Sequence, residues 1–410
     1  MKKNFRLFAL AMLASAVAFT SCESTSDDNG DQGSTEDVVV GDGETLPAEV
    51  SGKLTISEGA SVKLDGGLHV VSGGTLVIEP GVTITAQYDN SNCDYIFIEQ
   101  GGKIEADGGD ADGVIVMTSN SKKIGAWGGI HICGYAPINT SIPSSSEIEG
   151  LPYGGTNSSD NSGTLRYVRL EYTGYSYDED QECNGVSFYG VGNGTTVEYV
   201  QAYRGSDDGF EFFGGTVNIK YCVATSCSDD SFDWTDGWVG SADYIVAYQE
   251  EDIDYKCDCL LECDNQGTNN AATPLSHPTI SNATLVGYNY PYEEEDDNGV
   301  MQTKYKADGV MLKAGTAVNL ENVLIIGKSN SIYVKTDLTD GYLADGTSEL
   351  TNVLATDDFV NGSSAQTCVA ADLTGVKFGQ TISLTNNYVG LVDGAGAVSA
   401  DNDWTAGWTL

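Results

Sequence analysis

The chain has 410 residues, 60 of them acidic and 19 basic, for a formal net charge of −41. That balance argues against nucleic acid or an anionic membrane surface as partner, because phosphate recognition needs clustered Lys and Arg. Fifty glycines against eight prolines, with 40% apolar or aromatic residues, indicate a folded chain rich in tight turns.

The N-terminus carries Lys2, Lys3 and Arg6, then an apolar run from Leu7 to Phe19, then Thr20-Ser21-Cys22. A basic start and a short apolar stretch before a small residue predict a secretory signal over residues 1–21, too short to span a bilayer. Cys directly after the small residue resembles the bacterial lipobox, which implies lipidation at Cys22. Residues 22–46 open with a Ser-, Gly- and Asp-rich stretch lacking apolar periodicity and are expected to form a disordered acidic tether. Acidic residues just behind the lipid-bearing Cys resemble the surface-export signal of Bacteroidetes lipoproteins. The expected location is therefore the outer membrane, lipid-anchored and exposed at the cell surface, with the membrane engaged by the anchor alone. Loss of residues 1–21 would take the charge to about −44.

From residue 47 to 410 the chain repeats. Leu54 and Ile56 recur as Leu76 and Ile78, and Gly73-Gly74-Thr75-Leu76 is echoed by Gly101-Gly102-Lys103-Ile104. Ser206-Asp207-Asp208-Gly209-Phe210-Glu211-Phe212 returns 22 positions later as Ser228-Asp229-Asp230-Ser231-Phe232-Asp233-Trp234. The same strand appears at Asn184–Phe188, Asp308–Leu312 and Asn330–Val334, with a companion strand at 165–168, 197–200, 217–220 and 318–321. Short period-two runs cut by Gly or Pro-Gly are half-buried strands. A constant step of about 22 residues makes them turns of an all-β, right-handed parallel β-helix whose like residues stack at ~4.8 Å. An antiparallel sandwich would not explain a fixed period. The inward ladders are then Val186, Phe210, Phe232, Val310, Ile332 and Phe188, Phe212, Trp234, Leu312, Val334. The outward position between them holds Ser187, Glu211, Asp233, Met311 and Tyr333. The Asn or Asp before each strand suits a turn in which the side chain bonds backbone.

These repeats resemble those of pectate-lyase-like β-helix proteins, and more closely a family of exported bacterial β-helix lipoproteins. The carrying segments are Gly125-Ala126-Trp127-Gly128-Gly129-Ile130 with Ala136-Pro137-Ile138-Asn139, Ser206–Gly215 with Thr216-Val217-Asn218, and Asp403-Trp404-Thr405-Ala406-Gly407-Trp408-Thr409. The resemblance implies the fold and leaves the reaction open. The chain lacks the Asn-Thr-Asp, His-Gly and Arg-Ile-Lys elements of polygalacturonases. Trp127 is expected to seal a corner, and Trp404 and Trp408 to cap the C-terminal end of the helix.

Nine Cys follow Cys22, so they cannot all pair within the chain. Cys257, Cys259 and Cys263 admit a local disulfide, free thiols or, lacking a complementary pair, less readily a metal knuckle. No Gly-x-Ser-x-Gly elbow and no phosphate-cradling Gly loop with Lys is present.

The chemistry concentrates in the acidic double rung. Asp207, Asp208, Glu211, Asp229, Asp230 and Asp233 form either turn caps or a Ca²⁺ site, since Ca²⁺ takes six to eight oxygens. Asp208, Glu211, Asp230 and Asp233 are also candidate catalytic carboxylates, a spacing of ~5 Å suiting a retaining glycosidase. Arg204 is the candidate base for a lyase. Tyr203, Phe213, Trp238 and Tyr248 are candidate platforms for sugar rings. The reading is a non-catalytic glycan-binding or structural module, Ca²⁺-dependent if the acids hold metal. The alternatives are a polysaccharide lyase or glycoside hydrolase using residues 207–233, and a surface-coat component.

Overall fold

A computed structural model describes residues 37–88, 92–178, 181–295 and 300–410; the expected leader and Cys22 lie outside them. The chain winds into a right-handed parallel β-helix with a fifteen-stranded and an eleven-stranded sheet. Among the described residues the one α-helix, Asp337–Ala344, has eight residues, and no described helix is long and apolar enough to cross a membrane.

Each turn has three sides. In the early turns Lys53–Ile56, Thr75–Ile78 and Lys103–Asp107 stack as one file. Ser61–Leu64, Thr83–Ala86 and Ile115–Ser119 form a second, and Gly67–Val70, Tyr95–Ile98 and Ile130–Cys133 a third. From Gly163–Glu171 onward one long strand serves the first two sides, pairing Gly163–Arg166 with 104–107 and Val168–Leu170 with 115–117. The bend falls at Tyr167, whose φ is +50°.

That left-handed corner recurs in register at Tyr199, Tyr221, Tyr244, Asn282, Asn322 and Asn352, with φ between +51° and +58°. A non-glycine residue there costs ~1–2 kcal/mol, and each side chain repays it differently. The tyrosine rings stack at 4.4, 4.6 and 5.1 Å, each pair contributing ~0.5–1.5 kcal/mol. The asparagines tolerate the conformation and link turn to turn, Asn322 donating to Asn282 at 3.2 Å and Asn352 to Asn322 at 2.9 Å.

The predicted inward ladders are present. Phe210 pairs with Phe232 and Phe212 with Trp234, all buried. The Phe210 and Phe232 rings stack at 5.0 Å, those of Phe188 and Phe212 at 5.1 Å. Trp127 is buried in this core and its indole N–H donates to Glu171 O.

Several expectations are corrected. Leu261-Glu262-Cys263 forms an additional turn between Phe232-Asp233-Trp234 and Val310-Met311-Leu312, reached through irregular loops that hid its period. Val197 pairs with Ile219, so the companion strand sits two residues later than Val217 suggested. The first strand among the described residues, Val38–Val40, pairs with Leu54–Ile56 inside the stretch expected to be tether. Apolar Val40 is buried there, which a solvated linker would not allow. The nine described cysteines are free and buried, with no disulfide among 257, 259 and 263. Trp404 and Trp408 lie along the side of the helix. The C-terminal segment folds back over the fifteen-stranded sheet, where Leu410 N–H donates to Gln201 Oε1 at 2.9 Å and Ala397 N–H to Thr284 Oγ1 at 2.8 Å.

Candidate functional site

The outer face of the eleven-stranded sheet carries the site. Strand alternation that buries Phe210 and Phe212 turns Glu211 outward, and in-register stacking places Asp233 and then Glu262 beside it. On its N-terminal side this face is covered by the loop holding the Ser144–Ser145 and Pro152–Tyr153 hairpin. Beneath the loop Phe97, His131, Tyr189 and Phe213 stack in a column. Burial pushes His131 down to about 4, so the column holds it neutral. The loop also delivers Glu147, which accepts from the Tyr189 hydroxyl at 3.4 Å.

Where the loop ends, a cavity of about 300 Å³ opens, lined by Glu147, Glu182, Asp207, Asp208, Glu211, Asp229 and Asp233. All seven lining residues are carboxylates. Oxygens of Asp208, Glu211 and Asp233 lie within 4.8 Å of one another, as do those of Asp207, Asp208 and Asp229. Asp208 belongs to both groups, and Asp230, Asp233 and Glu262 extend the chain of acids along the sheet.

The predicted capping geometry is part of the same construction. Asn184 Oδ1 accepts from Asp208 N–H at 3.2 Å, Asp208 Oδ1 from Asp230 N–H at 2.8 Å, and Asp230 Oδ1 from Cys259 N–H at 2.6 Å. Capping and clustering therefore coexist in Asp208 and Asp230, since a carboxylate accepts several bonds. Asn184 also donates to Glu211 Oε2 at 2.5 Å.

Charge compensation divides the acids in two. Towards the C-terminal end Lys313 pairs with Glu262 at 2.8 Å and with Asp264 at 3.7 Å, and Lys306 pairs with Asp258. Among the described residues, none of the seven cavity acids has a Lys or Arg ion-pair partner. Burial, reinforced by the neighbouring carboxylates, raises Asp207 to about 8 and Glu147 to about 7. Burial first, and then the charges of Asp258 and Glu262, raises Asp229 to about 6. Asp208, Glu211 and Asp233 are driven well above the carboxylate range, again by burial first. Asp233 Oδ1 is buried without a hydrogen-bond partner. Such a set of oxygens is satisfied by protons or by a hard cation.

The donors fit Ca²⁺. They are oxygen only, numerous and clustered, and oxygens facing each other across Ca²⁺ are up to about 5 Å apart at its ordinary bond lengths. With the ion bound, Asp207, Asp208, Glu211, Asp229 and Asp233 would hold it, and it would offer remaining positions to ligand oxygens. Asp230 stands one step further along the chain of acids and caps the backbone.

The other sequence-derived candidates lie elsewhere. Arg204 is outside the cavity: its guanidinium grips Glu250 through two bonds of 2.9 and 3.1 Å and faces the Tyr203 ring at 5.2 Å. Phe213 and Trp238 are buried, stacked on Tyr189 at 4.5 Å and on Phe212 at 4.0 Å, and so cannot serve as sugar platforms. Tyr203 packs edge-on against Tyr172, and Tyr248 against Tyr388 of the C-terminal segment, both away from the acids. Glu147 and Glu182 escaped sequence reasoning. Glu147 comes from a loop with no repeat signal. Glu182 stands two residues before the turn residue Asn184, where the next turn has Ser206 bonded to Gly174 O, so the repeat gives no sign of it.

Fold and site together define a three-sided parallel β-helix bearing an acid-lined cavity on one outer face. The family model of the pectate-lyase like beta helix domain matches residues 48–409, and the chain belongs to that family. No curated protein and no solved structure matches it.

Proposed function

We propose that this protein is an exported, lipid-anchored glycan-binding module that takes up Ca²⁺ in the acid cavity and holds its ligand through the bound ion. The observation that carries this reading is the division of the acids. Those at Glu262, Asp264 and Asp258 form ion pairs with lysine, whereas among the described residues the seven around one cavity form none. Lys306 and Lys313 act on Asp229 and Asp233 only from a distance, so burying that many carboxylates is costly, and a divalent cation offsets the cost. Membership of the pectate-lyase-like family supports a polysaccharide as the ligand class. The leader and Cys22 support anchoring at the outer membrane, exposed to the surroundings. A glycan array read with and without chelator tests the reading: any glycan whose binding is lost with chelator and in Asp208→Asn supports it, and an array on which no glycan shows that loss refutes it. Labelled palmitate incorporation, lost in Cys22→Ala, tests the anchor.

The spacing of Glu211 and Asp233 favours one second reading, a retaining glycosidase, since their oxygens approach within 4.8 Å. Sugar release from a polysaccharide, abolished by Glu211→Gln, would establish it. The lyase reading loses its base, because Arg204 is committed to Glu250.

A further inference from the structure

The stacked tyrosine column ends at Tyr244. Tyr167, Tyr199 and Tyr221 each carry another ring on the following turn. Beyond Tyr244 the same corner is Asn282, whose shorter side chain donates to Asp243 Oδ1 at 2.8 Å and accepts from Asn322 at 3.2 Å. An asparagine reaches less far than a tyrosine, so the outer part of the Tyr244 face has no ring stacked on it.

The C-terminal segment encloses this place without filling it. Downstream, Trp404 sets its edge against Tyr221 at 5.2 Å, and its indole N–H donates to Ala397 O at 2.9 Å. Upstream, Gly396 N–H donates to Asn322 O. Between these anchors the segment arches through the Ser399–Asn402 turn. The result is a cleft of about 340 Å³, floored by Tyr244 and Asn282 and walled by Trp404, Leu391, Ser399 and Asn402. That volume lies within the ~300–1,000 Å³ of small-ligand sites. No Lys, Arg, Asp or Glu lines it.

We infer that this cleft is a second carbohydrate subsite, taking a neutral pyranose whose hydroxyls are equatorial. Such a ring presents a flat face of C–H groups that lies on an aromatic ring, while its edge hydroxyls meet amide and hydroxyl groups. Tyr244 supplies the platform, Trp404 the side wall, and Asn282, Asn402 and Ser399 the polar rim. Lys220, whose Nζ lies 5.3 Å from the Tyr244 ring centroid, is paired with Asp243 at 3.4 Å, and the net charge of −41 repels an anionic sugar. Binding at this subsite is therefore independent of Ca²⁺. The inference extends the glycan-binding reading to another face and can fail separately from it.

The probe is cellotetraose, followed by calorimetry and saturation-transfer NMR in the presence of EDTA. The intact protein is expected to bind it, and Tyr244→Asn to weaken binding at least tenfold while the protein stays folded, its melting temperature lowered only by the loss of the Tyr221 ring pair. Asn is the appropriate replacement because it occupies the same left-handed corner in the next three turns, at φ +51° to +58°. Asn402→Ala, on the exposed rim, should weaken binding severalfold. Three results would each overturn the proposal: no binding up to about 10 mM, equal affinity in Tyr244→Asn, or loss of cellotetraose binding in Asp208→Asn. The last would place the sugar at the acid cavity. Should Ca²⁺ uptake fail while cellotetraose still binds, the cavity reading falls and this one stands.

Discussion

Ca²⁺ entering the acid cavity must displace protons, and the number is set by the carboxylates. At pH 7 a group at about 8, as Asp207 is, is roughly nine-tenths protonated. Glu147, at about 7, is half protonated, and Asp229, at about 6, roughly one-tenth. These three release about 1.5 protons when an ion binds, and Asp208, Glu211 and Asp233, lying higher, add up to about one each. The expected release at pH 7 is therefore between about 1.5 and about 4.5 protons per chain. Calorimetric titration of Ca²⁺ into chelator-treated protein, in buffers of different ionisation enthalpy, gives this number as a slope. Affinity should tighten as the pH is raised from 6 to 8. Release below about 0.5 protons, or Ca²⁺ binding unaltered in Asp233→Asn, would refute the reasoning.

In chelator the stability of the fold should run opposite to ordinary acid denaturation. Asp207 titrates at about 8 in the folded chain against 3.8 when unfolded, so the native state binds the extra proton between those values. Stability is then highest in acid and falls as pH rises from about 4 to about 8, as thermal melts would show; Asp207→Asn flattens the slope. Asp208→Asn keeps the oxygen that accepts from Asp230 N–H, so urea midpoints should hold while Ca²⁺ uptake is lost, whereas Asp208→Ala costs ~1–3 kcal/mol. Trp234→Ala, at a fully buried rung position, should cost ~3–5 kcal/mol in urea unfolding. All nine described thiols are buried, so none of them should react with a disulfide reagent until denaturant is added.

The rungs were legible because their period is enforced by contact: Phe210 and Phe232 recur 22 positions apart as they must touch across one strand spacing. The acidic character of the site was legible for the same reason, since Glu211 and Asp233 occupy equivalent outward positions. Its boundary was not. Glu147 arrives on a loop whose placement depends on packing against Tyr189 and Phe213, and loops carry no period. Two of the expected aromatic platforms are lost to burial by different routes: Trp238 turns into the core, and Phe213 stays on the outer face but is covered by the hairpin loop. The tyrosine corner does leave a mark in the sequence. Arg166-Tyr167, Glu198-Tyr199, Lys220-Tyr221 and Asp243-Tyr244 repeat a charged residue before Tyr at the interval of the turns. The retreat of the C-terminus over the sheet left no such mark, because it rests on contacts between residues 113 and 209 positions apart.

That retreat changes how the molecule comes apart. In a solenoid each turn touches only its neighbours, so an end can fray while the middle stays wound. Here the last residue is tied to Gln201 and the stretch around Ala397 to Thr284, both several turns back. The final segment acts as a stay along the outside of a coil, and the turns beneath it loosen together or not at all.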